Sequence, residues 1–250
     1  YSNVGKVLAV GDNVISIKKG DIVISNGNHA NIVSINKNLV AKVPENVLEE
    51  EAVFTVIASI ALQGIRICNP TLGETVVVIG LGLLGQITLD LLKVNGCNAI
   101  GVDIENSKVN LAKKRGFKAF NSSEMNIKNL IQSLTNQIGA DAVIITASTS
   151  GNEPTEQAVN FCRVKGRITA VGAFKMDIPR EYFYKKELSF NISMSYGPGR
   201  YDKEYEEKGN DYPIGYVRWS EKRNFEAILQ LLSQKQINFN YLISKTLHFQ

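Results

Sequence analysis

The chain has 250 residues, 44% hydrophobic and 21% charged, which is the balance of a globular protein with one large or two small domains and enough apolar side chain for a substantial core. Its 28 basic and 24 acidic residues leave a net charge of +4 with no long block of one sign, so composition gives no ground for nucleic-acid or membrane partners. Three cysteines, Cys68, Cys97 and Cys162, lack a CxxC spacing; they argue against a disulfide framework and a structural zinc knuckle and fit a reducing cytoplasm.

The sequence opens at Tyr1 inside an apparent strand (Val4, Val7, Leu8, Val10) and closes at Phe249-Gln250 in another, so it reads as a piece of a longer protein. Residues 4–43 carry short alternating runs split by the turn signals Gly11-Asp12-Asn13, Lys19-Gly20-Asp21, Ser25-Asn26-Gly27-Asn28 and Asn36-Lys37-Asn38, the pattern of a small antiparallel β unit that Pro44 ends. Glu49, Glu50 and Glu51 then suit a helix N-terminus, and residues 51–67 read as a bridging helix. Thr55, Ser59, Gln63 and Arg66 make that helix too polar to span a bilayer.

From Thr75 the rhythm becomes strand and helix in alternation. Strands are expected at 75–80, 98–103, 117–121, 141–147, 166–172 and 188–194, with helices near 85–95, 106–115, 124–138 and 154–162, which together describe a doubly wound parallel sheet of the Rossmann type. Within it, the β-branched run Val76 to Ile79 leads straight into Gly80-Leu-Gly82-Leu-Leu-Gly85, and the next strand ends on Asp103. That is the dinucleotide-binding pattern in its strand-turn-helix context. Gly80 permits the tight turn, Gly82 lets a pyrophosphate approach the backbone, and Gly85 lets helix and strand pack closely, with the amides near Leu83 and Leu84 aimed at the phosphates. The Asp103 carboxylate can accept hydrogen bonds from the adenosine ribose and would repel a 2′-phosphate, so NAD is favoured over NADP. Lys108 can also reach the ribose. Thr146, Ala147, Val171 and Gly172, at strand ends, would line the crevice. A glycine-rich turn can also close an empty α/β scaffold, but strand, helix and acidic residue agree here.

The last 55 residues or so break the rhythm. A loop dense in Tyr, Arg and Gly (196–219) precedes a helix over 224–233 and a strand over 242–249. Tyr196, Arg200 and Arg218, with Arg223, Tyr201, Tyr216 and Trp219, can bind an anionic or sugar-like ligand through guanidinium forks and stacking, or can equally dock a partner domain. His29, in a Gly/Asn-rich turn, and His248, in the final strand, read as structural, and Cys97 and Cys162 as inert buried thiols.

Together, Lys19-Gly20-Asp21-Ile-Val, Asn28-His29-Ala30, Leu72-Gly73-Glu74-Thr75 leading into the glycine turn, and Lys165-Gly166-Arg167-Ile-Thr-Ala-Val171-Gly172 resemble the medium-chain dehydrogenase/reductase superfamily over nearly the whole chain. The resemblance implies three segments: part of a GroES-like catalytic β domain over 1–50, a nucleotide-binding Rossmann domain with its bridging helix over 51–195, and a tail over 196–250 that returns to the catalytic domain. It implies hydride transfer between a nicotinamide cofactor and an alcohol or carbonyl carbon, and a homodimer formed through the nucleotide domain. Zinc-type members hold a catalytic metal with two cysteines and a histidine, and counting back from Gly80 with Gly73 as a check puts the second cysteine's position on Thr55. A hydroxyl is a poor zinc ligand, so no zinc is expected. Ser59 falls where the family places a hydroxyl near the nicotinamide. The tail, Ser195-Tyr-Gly-Pro-Gly-Arg-Tyr-Asp202 with Gly215-Tyr-Val-Arg-Trp-Ser-Glu-Lys-Arg223, looks more narrowly like bacterial two-domain oxidoreductases that carry a Gfo/Idh/MocA-type half, often in a surface-polysaccharide context. The competing reading is a non-catalytic dinucleotide-binding module whose tail docks the domain that performs the chemistry.

Overall fold

The computed structural model describes residues 2–247. The chain forms two units, Tyr1–Ile60 with Ser195–Gln250, and Ala61–Met194. In the first, strands β1 (Asn3–Lys6), β2 (Ile22–Ser25) and β3 (Val40–Lys42) form an antiparallel sheet in that order. Ile24 lies opposite both Val4 and Ala41 and, like Ala41, is buried, so the sheet has one apolar face. Lys42 pairs with Asp21 at 2.8 Å at the foot of β2. The alternating runs between these strands stay as loops: Ile15 and Ile32 are strongly exposed, and a run without a neighbouring edge has no ladder to join. His29 is exposed in one of these loops.

The expected bridging helix is split into α1 (Glu49–Ala52) and α2 (Thr55–Cys68). The Glu51 carboxylate accepts the Phe239 N–H (2.8 Å) and Phe54 packs edge-on against Phe239 at 5.8 Å between ring centroids, which draws the chain out of the helix between the two. The chain passes into the second unit within α2. No helix among the described residues is long and apolar enough to cross a membrane.

The second unit alternates β4 (Thr75–Ile79), α3 (Leu83–Val94), β5 (Asn98–Asp103), α4 (Asn106–Lys114), β6 (Lys118–Asn121), α5 (Ile127–Leu134), β7 (Ala140–Ile145), α6 (Glu153–Phe161), β8 (Cys162–Ala170), α7 (Arg180–Lys186) and β9 (Ser189–Ile192). Its six strands are parallel in the order β6-β5-β4-β7-β8-β9, the doubly wound arrangement whose order reverses between β4 and β7. Val76, Val77 and Val78 are fully buried, because a central parallel strand is covered on both faces. Val77, Ile79, Val102, Val143, Ile145 and Ile168 make the sheet's share of a core that Ile131, Phe161 and Phe183 complete from the helices.

Several boundaries differ from expectation for local reasons. The α5 helix starts at Ile127 because Asn126 Oδ1 accepts the Asn129 N–H and caps it, and it ends before Asn136 and Gln137, both at positive φ. Strand β8 begins early, at Cys162, with a register shift opposite Ala140 and Ala142 and Lys165 at φ +59°. Strands β7 and β8 end at Ile145 and Ala170, so the four strand-end residues lie just past the strands, although Thr146 and Val171 still donate backbone hydrogen bonds to the neighbouring strands. Helix α7 was not expected; Pro179 before it and the Glu181–Lys185 pair at i,i+4 spacing are its sequence signals.

The returning segment of the first unit holds α8 (Lys203–Glu206), capped by Asp202, and α9 (Glu221–Ser233), whose Phe225, Ile228, Leu229 and Leu232 form a buried stripe. Tyr205 is fully buried, donates its hydroxyl hydrogen to Ser220 Oγ (2.9 Å) and stacks on Tyr212. The strand expected over 242–249 is replaced by a 3₁₀ turn at Asn240–Leu242 with no ladder through residue 247, while His248 and Phe249 lie outside the described residues.

Candidate dinucleotide site

Strand β4 ends at Ile79, and the chain turns at Gly80 with φ +95°, where a Cβ would stand 2.6 Å from the Ala147 backbone nitrogen. At Gly85 a Cβ would overlap the Gly80 carbonyl oxygen, so only glycine lets the first turn of α3 close onto the end of β4. Gly82 is different: a Cβ there would meet nothing within 4 Å, leaving open space in front of the turn. The first intrahelical bond runs from Gln86 N–H to the Gly82 carbonyl (2.9 Å), so the N–H groups of Leu83, Leu84 and Gly85 have no partner inside the helix. A bare cradle facing the positive end of a twelve-residue helix fits a pyrophosphate.

Asp103, 8% exposed, closes β5 beside this turn. Its Oδ2 accepts the Leu81 N–H (2.6 Å) and its Oδ1 the Glu105 N–H (2.8 Å). The carboxylate therefore ties the glycine turn to the start of α4, and each oxygen keeps a second lone pair for a ribose hydroxyl. The Lys108 ammonium pairs with Glu105 at 2.8 Å, a bond that raises its pKa above the ordinary lysine value, so it is held beside the site by its own helix turn.

On the other side of the reversal, Thr146 donates its backbone N–H to Ile79 O (2.8 Å) and its hydroxyl hydrogen to Gly80 O (2.6 Å). Thr146 and Ala147 thus brace the glycine turn. The Val171 and Gly172 N–H groups share the Ile145 carbonyl, each at 2.9 Å. The structure accordingly brings Gly80, Gly82, Gly85, Asp103, Thr146, Ala147, Val171 and Gly172 to one edge of the sheet, outside the carboxyl ends of the strands where ligands bind in such folds. One residue that the sequence did not single out joins them: Gln86, buried on α3, donates to Leu81 O and Lys108 O. A polar residue on the apolar face of an amphipathic helix was its signal.

Thr55, Ser59 and the tail residues Tyr196, Arg200 and Arg218 lie in the first unit. Thr55 and Ser59 are fully buried; Ser59 donates to the Thr55 carbonyl (2.8 Å), and Thr55 Oγ1 has no hydrogen-bond partner. Among the described residues no three His, Cys, Asp or Glu side chains are grouped to hold a metal. Burial pushes the Cys68 thiol up to about 11, the Cys162 thiol up to about 12 and Cys97 in the same direction, which keeps all three as neutral thiols.

Arg200 is already engaged. Its Nη1 pairs with Glu206 at 2.7 Å and its guanidinium lies 4.2 Å from the Tyr201 ring centroid and 5.5 Å from that of Tyr196. The Tyr196 hydroxyl accepts from Asn26 Nδ2 (2.8 Å), and burial raises its pKa. Arg218 lies over Trp219 at 3.8 Å. Arg223 is held by Asp211 and by the Tyr212 and Val217 carbonyls. Close to Arg200, Glu221 is fully buried with neither carboxyl oxygen hydrogen-bonded, and burial followed by the charge of Glu206 pushes its pKa up to about 9.

A family model described as zinc-binding dehydrogenase matches residues 84–208, half of the 250-residue chain. The chain is 29% identical to D-guloside 3-dehydrogenase of Escherichia coli (strain K12), over 98% of this chain and 69% of that one. It is 28% identical to sorbitol dehydrogenase of Halalkalibacterium halodurans, over 93% of this chain and 62% of that one. Alcohol dehydrogenase TADH from Thermus sp. ATN1 has the same fold, with a TM-score of 0.78 at 21% identity, covering 96% of this chain and 74% of that structure. The glycine turn and Asp103 at the reversal of a parallel sheet and the family match over half the sequence agree: the chain belongs to the zinc-binding dehydrogenase family, oxidoreductases of the medium-chain, alcohol dehydrogenase-like type.

Proposed function

We propose that the protein is an NAD-linked oxidoreductase that moves a hydride between nicotinamide and the carbinol or carbonyl carbon of a sugar-related substrate, without a catalytic zinc. The observation that carries this reading is the open cradle between Gly80 and Gly85 with the Asp103 carboxylate beside it. Bound there, the nicotinamide cofactor supplies the hydride chemistry. The chain's own residues bind and orient: the amides of Leu83, Leu84 and Gly85 face the phosphates, and Asp103 accepts from the ribose and repels a 2′-phosphate, which favours NAD over NADP. The sugar-related substrate follows the names of the two relatives, one acting on a guloside and one on sorbitol. Metal independence rests on the donor chemistry: family resemblance puts Thr55 at a zinc-ligand position, and a hydroxyl is a poor replacement for a thiolate. By the same resemblance Thr55 and Ser59 are assigned as the polar groups toward the nicotinamide, residues 1–50 and 196–250 to the catalytic domain, and the nucleotide domain to a homodimer contact, in the cytoplasm.

A second reading is favoured by the tail. Arg200 is spent on Glu206 and on two tyrosine rings, and Arg218 on Trp219, an arrangement suited less to capturing an anion than to presenting a stacked Tyr/Arg/Trp surface to a Gfo/Idh/MocA-type partner domain. The chain would then hold the dinucleotide without turning over a substrate itself. Formation of NADH from NAD followed by absorbance, with a panel of polyols and glycosides and with and without a strong chelator, separates the two. Turnover insensitive to the chelator is expected; turnover abolished by the chelator overturns the zinc-free mechanism. Dinucleotide binding without turnover of any substrate would leave the partner-docking module.

A further inference from the structure

We propose that Gln86 is a positioning residue of the dinucleotide site, whose buried carboxamide fixes the glycine turn against the helix that follows Asp103; the proposal rests on the dinucleotide reading above. Gln86 is 1% exposed and lies one residue beyond Gly85. Its Nε2 donates to the Leu81 carbonyl and to the Lys108 carbonyl, both at 3.0 Å, and its Oε1 accepts from Arg115 Nη1 at 2.7 Å. Two carbonyls on one side and a guanidinium on the other allow only this orientation of the amide, so both amide hydrogens and the oxygen are used. Arg115 is itself held, by an ion pair with Asp90 of α3 and by its place over the Phe117 ring at 5.1 Å.

The consequence reaches the cofactor side. The peptide units at Leu81 are gripped at both ends: the Leu81 N–H is held by Asp103 and the Leu81 carbonyl by Gln86. The second amide hydrogen of Gln86 holds the first half of α4, which carries Lys108 and begins three residues after Asp103. One side chain therefore sets the spacing between the phosphate-facing turn and the ribose-facing carboxylate. A leucine would fill similar space and leave a buried carbonyl, a part-buried carbonyl and a guanidinium without it, a loss that releases the turn rather than opening a cavity.

NADH is the probe, titrated into the full 250-residue chain and into two variants, with thermal melting recorded for each. For Gln86→Leu, which removes all three hydrogen bonds of the carboxamide, the expected result is about tenfold weaker NADH binding, since only part of that loss falls on the cofactor-bound state. Gln86→Glu keeps the volume and the contact with Arg115, but its ionised carboxylate cannot donate to either carbonyl, whereas its protonated form donates to one. Its affinity relative to the unmodified chain is therefore expected to rise as pH falls, a dependence set among Arg115, Asp90, Lys108 and Asp103 that a purely space-filling side chain would not produce. Unmodified NADH affinity in both folded variants at every pH overturns the role of Gln86 while leaving the dinucleotide reading intact. No NADH binding by the unmodified chain overturns both.

Discussion

Among the described residues, Glu221 is a buried carboxyl whose ionisation is far from ordinary. It occupies the first position of α9 with no exposed surface, its N–H donates to the Pro198 carbonyl, and neither carboxyl oxygen meets a donor. With both carboxylates ionised, Glu221 faces Glu206 across a site where Arg200 already serves Glu206; once protonated, it can donate to the Glu206 carboxylate instead. Burial is the first cause of its raised pKa, the charge of Glu206 the second, and Arg200 opposes them. The linkage has a definite sign. The folded chain holds a proton here that the unfolded chain releases near 4.5, so this contribution to stability is complete below that value and is lost as pH rises toward about 9. Glu221→Gln, a neutral mimic of the protonated acid, is expected to melt above the unmodified chain at alkaline pH, with the difference shrinking toward acid. Parallel melting curves across the range would show that Glu221 is ionised in the fold.

At the scale of elements, the glycine turn has the tightest tolerance. Because a Cβ at Gly85 would overlap the Gly80 carbonyl and sit 3.0 Å from Thr146 Oγ1, α3 cannot keep its place with a larger residue there. Gly85→Ala is expected to cost roughly 1–3 kcal/mol, read from the denaturant midpoint, and to weaken NADH binding beyond what that loss explains. An unchanged midpoint with unchanged binding would mean the turn relaxes freely. This turn was fully legible in the sequence, since close backbone packing demands glycine and nothing else, and a central parallel strand demands an unbroken run such as Val76 to Ile79. The split between α1 and α2 was not legible, because it depends on Glu51 and Phe54 engaging Phe239, nearly two hundred residues away. The same holds for the tail: Arg200 reads as a free anion-binding group until Glu206 and Tyr201 are placed around it.

At the scale of the whole molecule, the two units are threaded differently. Ala61–Met194 is one continuous stretch, whereas the other unit combines the first sixty residues with the last fifty-six and is complete only when the chain has returned. The continuous unit contains the proposed phosphate and ribose contacts, from Gly80 to Gly172, on which the choice between NAD and NADP rests. Its chemistry separates the proposed function from an empty scaffold of the same fold. The measurement is a calorimetric titration of the chain with NADH and with NADPH, repeated with Asp103→Ala. The expected result is NADH binding clearly tighter than NADPH binding, with the preference reduced by the substitution as the carboxylate that repels the 2′-phosphate is removed. Binding of neither dinucleotide, or a preference for NADPH, would contradict it.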